Sequence, residues 1–247
     1  MVNHMRDWKK ETEDRVEYIR NLVANAGVKG IVYGNSGGKD CALVGILCKM
    51  ACDNTIGVIM PCCSERNYGE DADHGNLVAE QFKIETRTVD LTDVKNALLA
   101  SLEGKTEINN SADINIAPRL RMTTLYAIGA SEGLLVAGTG NRSERYMGYF
   151  TKWGDGACDF DPIADLTAGE VFDFLRYLGA PDEIINKAPS AGLYEGQTDE
   201  ADMGVTYAAI DEYILNGNAH SADAEIIRRY HNSSEHKRRM PLFYGEE

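Results

Sequence analysis

Residues 34–40 read Gly34-Asn35-Ser36-Gly37-Gly38-Lys39-Asp40 and follow directly on the apolar run 28–33. A strand that ends in Ser-Gly-Gly-x-Asp and opens a helix points backbone N–H groups at the helix N-terminus. That arrangement holds a phosphate or pyrophosphate. Gly37 and Gly38 let the chain turn sharply and approach the anion. Asp40 is the unusual member. A carboxylate beside a phosphate cradle repels the ligand unless a cation lies between them, so Asp40 is expected to hold Mg²⁺. The spacing fits neither a Walker A loop nor a Gly-x-Gly-x-x-Gly dinucleotide fingerprint. A glycine-rich turn without a ligand is the bland alternative, and the order strand, glycines, Asp, helix speaks against it.

A second cluster, Gly138-Thr139-Gly140-Asn141-Arg142-Ser143-Glu144, again follows an apolar strand-like run. Thr139 is expected to donate to a phosphate or an adenosine hydroxyl, and Glu144 to give the metal near Asp40 a second carboxylate. A third cluster spans 148–159. In it Lys152 can neutralise phosphate and Asp159 can hydrogen-bond a ribose or an amine; taken alone, that stretch reads more readily as a solvated turn. Arg119 and Arg121 lie two apart near a helix start and therefore point in different directions. At most one of them serves a given ligand. His236-Lys237-Arg238-Arg239 is a basic run in an acidic chain, read either as a solvated tail or as a tail folded onto substrate phosphates.

These clusters need elements to position them. Thr12, Val16, Ile19 and Val23 recur at helical spacing, so an amphipathic helix opens the chain. Strands are expected at 28–33, 55–60, 85–89 and 133–137. Helices are expected at 41–52, 71–82, 91–102, 118–131, 171–178, 207–215 and 222–230. Thr167-x-x-Glu170 forms a capping box ahead of the helix at 171–178. Alternation of this kind predicts an α/β fold, a doubly wound, mostly parallel sheet with helices on both faces. Ligands in such sheets lie at the carboxyl ends of the strands, where the 34 and 138 loops both fall. No repeat or linker divides residues 1–247, so a single domain is expected.

Composition sets limits. The formal net charge of −14 argues against nucleic acid as the main partner. The charged start lacks an apolar signal core, and no apolar run is long enough to span a membrane, so a cytoplasmic protein is expected. The six cysteines contain no C-x-x-C pair and are expected to be free thiols; Cys62-Cys63 is the one adjacent pair.

Ser36-Gly-Gly-Lys-Asp40, Arg119-Leu-Arg-Met-Thr, Gly138–Glu144, Gly148-Tyr-Phe-Thr-Lys-Trp-Gly-Asp-Gly156, Pro162-Ile-Ala-Asp-Leu, Lys187-Ala-Pro-Ser-Ala and Glu235-His-Lys-Arg occur in one order along the chain. Together they resemble the ammonia-dependent NAD synthetases of the ATP pyrophosphatase (PP-loop) superfamily. The resemblance implies an adenine nucleotide α hydrolase-like fold. It implies the amidation of nicotinic acid adenine dinucleotide (deamido-NAD) with ATP and ammonia to give NAD, AMP and pyrophosphate, and a homodimer. By matching position it places Gly34, Asn35, Ser36, Gly37, Gly38, Lys39, Asp40, Cys41, Thr139 and Ser190 on ATP. It places Arg119, Lys152, Asp159, His236 and Lys237 on deamido-NAD, and Asp40 and Glu144 on Mg²⁺. No covalent nucleophile is expected; Cys41 stands where the family usually has Ser. One departure bears on activity. The family usually carries a lysine where Ala168 stands, and Lys39 is a candidate to replace its charge. A catalytically weak or inactive nucleotide-binding homologue is therefore the alternative. No glutaminase domain is expected in the chain, which makes free ammonia the expected nitrogen donor. The stretch 188–202, rich in Gly, Ser, Asp and Glu, is expected to act as a mobile lid.

Overall fold

The computed structural model describes residues 6–63, 69–186 and 198–245. Helix α1 (Trp8–Ala26) is capped by Asp7 and closes at Gly27. Then come β1 (Gly30–Gly34), α2 (Lys39–Ala51), β2 (Thr55–Ile59), α3 (Glu70–Phe82) and β3 (Glu85–Thr88). Next are α4 (Thr92–Leu102), the short α5 (Asn110–Ile114), α6 (Ile116–Glu132) and β4 (Leu134–Ala137). The C-terminal part carries α7 (Arg142–Met147), α8 (Ala168–Leu178), α9 (Asp182–Ile185), α10 (Asp199–Met203), α11 (Tyr207–Asn216) and α12 (Ser221–Ser233). A 3₁₀ turn at Glu235–Lys237 ends it.

The four strands among the described residues are all parallel, in the order β3-β2-β1-β4. The chain winds outward from β1 through β2 to β3, then returns to place β4 on the other side of β1. The switch point thus lies between β1 and β4, and a crevice opens there at the carboxyl ends of the strands. The expected α/β class and doubly wound topology are what the chain adopts.

Period-two alternation of β1 builds the two faces. Ile31 and Tyr33 pack with Leu43 and Ile46 of α2, Ile19 of α1 and Phe174 of α8. Val32 packs on the opposite face with Ile56, Val58 and Val136, against Leu120, Leu125 and Ile128 from α6. A one-residue slip of β1 would exchange these sets, so the register is fixed by burial. A third apolar cluster joins α7 and α8 to the C-terminal helices through Met147, Ala168, Met203, Tyr207, Ile210 and Ile227.

The longer expected elements recur with ends shifted by one to three residues. The capping box of Thr167 and Glu170 is present, and it starts α8 at Ala168, before the expected residue 171. The short helices α5, α7, α9 and α10 and the 3₁₀ turn are additions to the expected set. Four to six residues carry too little periodicity to be read from pattern.

Candidate nucleotide and metal site

The loop between β1 and α2 owes its shape to two side chains. Buried Asn35 donates through Nδ2 to the Gly75 carbonyl at 3.1 Å and accepts from the Gly37 N–H at 3.2 Å, tying the loop to α3. Gly37 has φ +68°, and a Cβ there would lie 2.1 Å from the Asp71 carbonyl oxygen, so only glycine fits. The N-cap of α2 is Gly38, which brings no side-chain cap, and Gly38, Lys39, Asp40 and Cys41 all line one cavity of about 600 Å³. The first-turn amides of α2 are thereby offered to a ligand. At α7 the opposite holds. Asn141 and Glu144 form a reciprocal capping box that satisfies that N-terminus from within the protein. The anion cradle therefore belongs to α2.

Asn141 also joins the two expected metal carboxylates. Its Nδ2 donates to Asp40 Oδ1 at 3.0 Å, its Oδ1 accepts from the Glu144 N–H at 3.0 Å, and its own N–H donates to Glu144 Oε2 at 3.2 Å. Burial, and then the charge of Asp40, push the Glu144 carboxyl well above the usual range, against the pull of Lys39. Among the described residues no set of three or more His, Cys, Asp or Glu is arranged as a metal cage. Two oxygen donors fit Mg²⁺, which is held through one or two carboxylates, waters and substrate phosphates.

Lys39 is only 5% exposed, and its Nζ pairs with Asp40 Oδ2 at 2.5 Å. The ammonium lies 5.6 Å from the Phe172 ring centroid and 5.5 Å from that of Tyr207. Burial pulls its pKa down, but the charges of Asp40 and Glu144, the bond to Asp40 and the charge of Asp199 outweigh that and hold it above its ordinary value. Phe172 lies one helical turn beyond Ala168, so Lys39 brings its charge close to the first turns of α8. Cys41 is buried, with Sγ directed at the Gly38 carbonyl (3.1 Å), and burial pushes its thiol up. A protonated thiol facing a carbonyl is a poor nucleophile.

Gly34, Asn35, Ser36, Gly38, Lys39, Asp40, Cys41, Thr139, Glu144 and Lys237 line the same cavity. Arg119, Lys152 and His236 form a separate hydrogen-bonded patch. Arg119 reaches the Lys152 carbonyl at 3.4 Å, and Lys152 Nζ donates to the His236 carbonyl at 2.7 Å. Asp159 stands apart, accepting from the Val136 N–H at 2.8 Å and the Tyr126 hydroxyl at 3.1 Å. Ser190 and residues 188–197 of the expected lid lie outside the described residues. Residues 199–202 of that stretch belong to α10, with Asp199 buried.

The two arginines do diverge. Arg121, not Arg119, lines the cavity, and its Nε donates to the Met60 carbonyl at 3.0 Å. Two residues of the basic run are docked, while His236 and Arg239 are exposed. Lys237 Nζ donates to the Gly148 and Phe150 carbonyls at 2.8 and 2.7 Å, and Arg238 reaches the Tyr146 and His231 carbonyls. Sequence reasoning gave no role to Asn141 and Asp199, and Arg121 lines the cavity where the resemblance placed Arg119 on the substrate. Asn141-x-x-Glu144 matches the capping pattern and was findable; Asp199 carries no local signal. All six cysteines are free thiols.

The strand order, the uncapped helix N-terminus and the paired carboxylates define a nucleotide-binding α/β protein of the PP-loop kind. A profile of the NAD synthase family matches residues 11–242, and the chain belongs to that family of ligases. It is 46% identical over 238 residues to the NH₃-dependent NAD⁺ synthetase of Carboxydothermus hydrogenoformans, covering 95% of this chain and 97% of the relative. Among solved structures, the NMN synthetase of Francisella tularensis is similar with a TM-score of 0.92 and 36% identity, covering 98% of this chain and all of that one. The NAD⁺ synthetase of Burkholderia pseudomallei gives a TM-score of 0.78 at 29% identity, over 97% of this chain and 93% of that one. The names of these relatives leave the inactive-homologue alternative without support.

Proposed function

We propose that the chain amidates the nicotinate carboxylate of deamido-NAD with ammonia, driven by cleavage of ATP to AMP and pyrophosphate. The observation that carries this reading is the α2 N-terminus, uncapped and lining the cavity, with Asp40 and Glu144 joined beside it through Asn141.

A carboxylate is a poor electrophile, so it must first be activated. One carboxylate oxygen attacks the α-phosphorus, pyrophosphate leaves, and a mixed anhydride with AMP forms. Ammonia then attacks the carbonyl carbon and AMP departs. The chain's part is positioning and charge placement. The Gly38–Cys41 amides cradle the polyphosphate, Thr139 holds the nucleotide from the β4 side, and Lys39 supplies a buried cation. Asp40 and Glu144 would hold Mg²⁺, which would supply charge neutralisation at the leaving pyrophosphate. Arg119, Lys152, His236 and Lys237 bind the acid substrate. Asp159 and, for ATP, Ser190 join these sets by resemblance. A single domain, a homodimer and a cytoplasmic location complete the proposal; no described helix is long and apolar enough to cross a membrane.

One observation favours a second reading. The Francisella NMN synthetase superposes with a TM-score of 0.92, against 0.78 for the Burkholderia NAD⁺ synthetase. The acid substrate would then be nicotinic acid mononucleotide. Product formation from each acid, with ATP, Mg²⁺ and ammonium, separates the two. A higher kcat/KM for deamido-NAD supports the first reading, and a higher value for the mononucleotide replaces it with the second.

A further inference from the structure

We infer that Lys39 is a tethered cation that occupies the metal position in the nucleotide-free protein and keeps divalent ions out until a polyphosphate draws its ammonium away. The inference rests on the reading of Asp40 and Glu144 as the metal carboxylates.

Successive residues of a helix point about 100° apart, so a lysine and the aspartate that follows it do not face each other by default. Here they pair all the same, at 2.5 Å, with Lys39 5% exposed. Lysine is almost never buried to this degree without partners. The partners come from distant parts of the chain. Phe172 on α8 and Tyr207 on α11 place their rings against the ammonium at 5.6 and 5.5 Å. The Tyr207 hydroxyl donates to Asp199 Oδ2 at 3.1 Å, which fixes that ring from α10. Three helices thus build a seat for one positive charge, and the seat opens onto Asp40.

A divalent ion bound to Asp40 sits about 2.1 Å from a carboxylate oxygen. The ammonium now fills that position on Oδ2, and Oδ1 accepts from Asn141. Two cations at one oxygen repel, so metal and ammonium exclude each other while no nucleotide phosphate is present. ATP changes the balance. Its phosphates arrive at the N-terminus of α2, the helix that carries Lys39 in its first turn, and give the ammonium a second anionic partner within side-chain reach. Asp40 is then released to the metal that arrives with the nucleotide. The expected behaviour is ordered: metal enters with ATP and not before it.

Mn²⁺ uptake followed by EPR tests this without any turnover. The wild-type protein without nucleotide is expected to bind Mn²⁺ at least tenfold more weakly than Lys39→Met, and Lys39→Gln is expected to behave like Lys39→Met. Far-UV circular dichroism and thermal melts confirm that the variants are folded; if Lys39→Met is not, Lys39→Gln carries the test. Equal Mn²⁺ affinity in wild type and folded variants overturns the inference. With a non-hydrolysable ATP analogue, wild type is expected to bind Mn²⁺ beyond the amount held by free nucleotide. Failure of that arm alone overturns the assignment of Asp40 and Glu144 as metal ligands, and the inference with it.

Discussion

Replacing Gly37 by alanine tests whether the loop geometry makes the site. Two costs can be worked out. An L-residue at φ +68° pays about 1–2 kcal/mol for the left-handed backbone. The new Cβ would also stand 2.1 Å from the Asp71 carbonyl oxygen, where ordinary contact begins at 3.4 Å, so loop and α3 must part by more than an ångström. Overpacking of this kind costs about 1–3 kcal/mol. The sum, about 3 kcal/mol, corresponds to a drop of about 10 °C in Tm for a chain of this size. Gly179→Ala is the internal control. Its φ is +70° and nothing lies within 4 Å of its Cβ, so only the backbone cost applies, about 1 kcal/mol and about 3 °C. Thermal melts give the stability difference between the two variants, and calorimetric titration gives ATP affinity. Gly37→Ala is expected to melt well below Gly179→Ala and to bind ATP at least tenfold more weakly than wild type. Equal melting of the two variants, with wild-type ATP affinity in Gly37→Ala, would refute the argument that this contact shapes the cradle.

Further outcomes follow from the same structure. Asp40→Ala is expected to abolish pyrophosphate release and to cost about 3 kcal/mol, because the buried ammonium of Lys39 loses its nearest counter-charge. The double variant Lys39→Met/Asp40→Ala should recover most of that stability in urea unfolding, and an additive loss would count against the pair. Burial pushes the Asp161 carboxyl up to about 6, although the Ile163 N–H, Arg145 and the Gly140 N–H oppose it. A folded-state pKa above the unfolded value gives stability that is full below about pH 4 and lost as pH rises through about 6. Asp161→Asn should remove a slope of up to about 3 kcal/mol across that window, and an unchanged slope in unfolding curves would contradict the assignment. Thr167→Ala removes the side-chain cap of α8 and should lower stability by about 1 kcal/mol, seen as a Tm shift of a few degrees.

The sequence was most legible where function is local. The Ser36–Asp40 loop, the strand before it and the helix after it are set by neighbours along the chain, and each appears where glycines and apolar runs put it. Burial of β1 on both faces follows from a run without polar residues. The seat around Lys39 was not legible. Phe172, Asp199 and Tyr207 lie more than a hundred residues away from it, and only packing of the C-terminal helices brings them together. The same holds for the basic run. Its charge suggested a ligand, yet Lys237 and Arg238 meet backbone carbonyls of residues 145–150, because a helix C-terminus and the turn after it leave acceptors unpaired. Arg119 and Arg121 were correctly expected to diverge, but helix phase relative to the sheet decided which one faces the cavity.

The measurement that tests the central claim most directly is the fate of oxygen and nitrogen labels in one turnover. Deamido-NAD labelled with ¹⁸O in its nicotinate carboxylate is incubated with ATP, Mg²⁺ and ¹⁵N-ammonium, and the products are weighed by mass spectrometry. Activation by adenylyl transfer predicts one ¹⁵N in NAD and one ¹⁸O in AMP. AMP without ¹⁸O, or the label in phosphate or pyrophosphate, would contradict it.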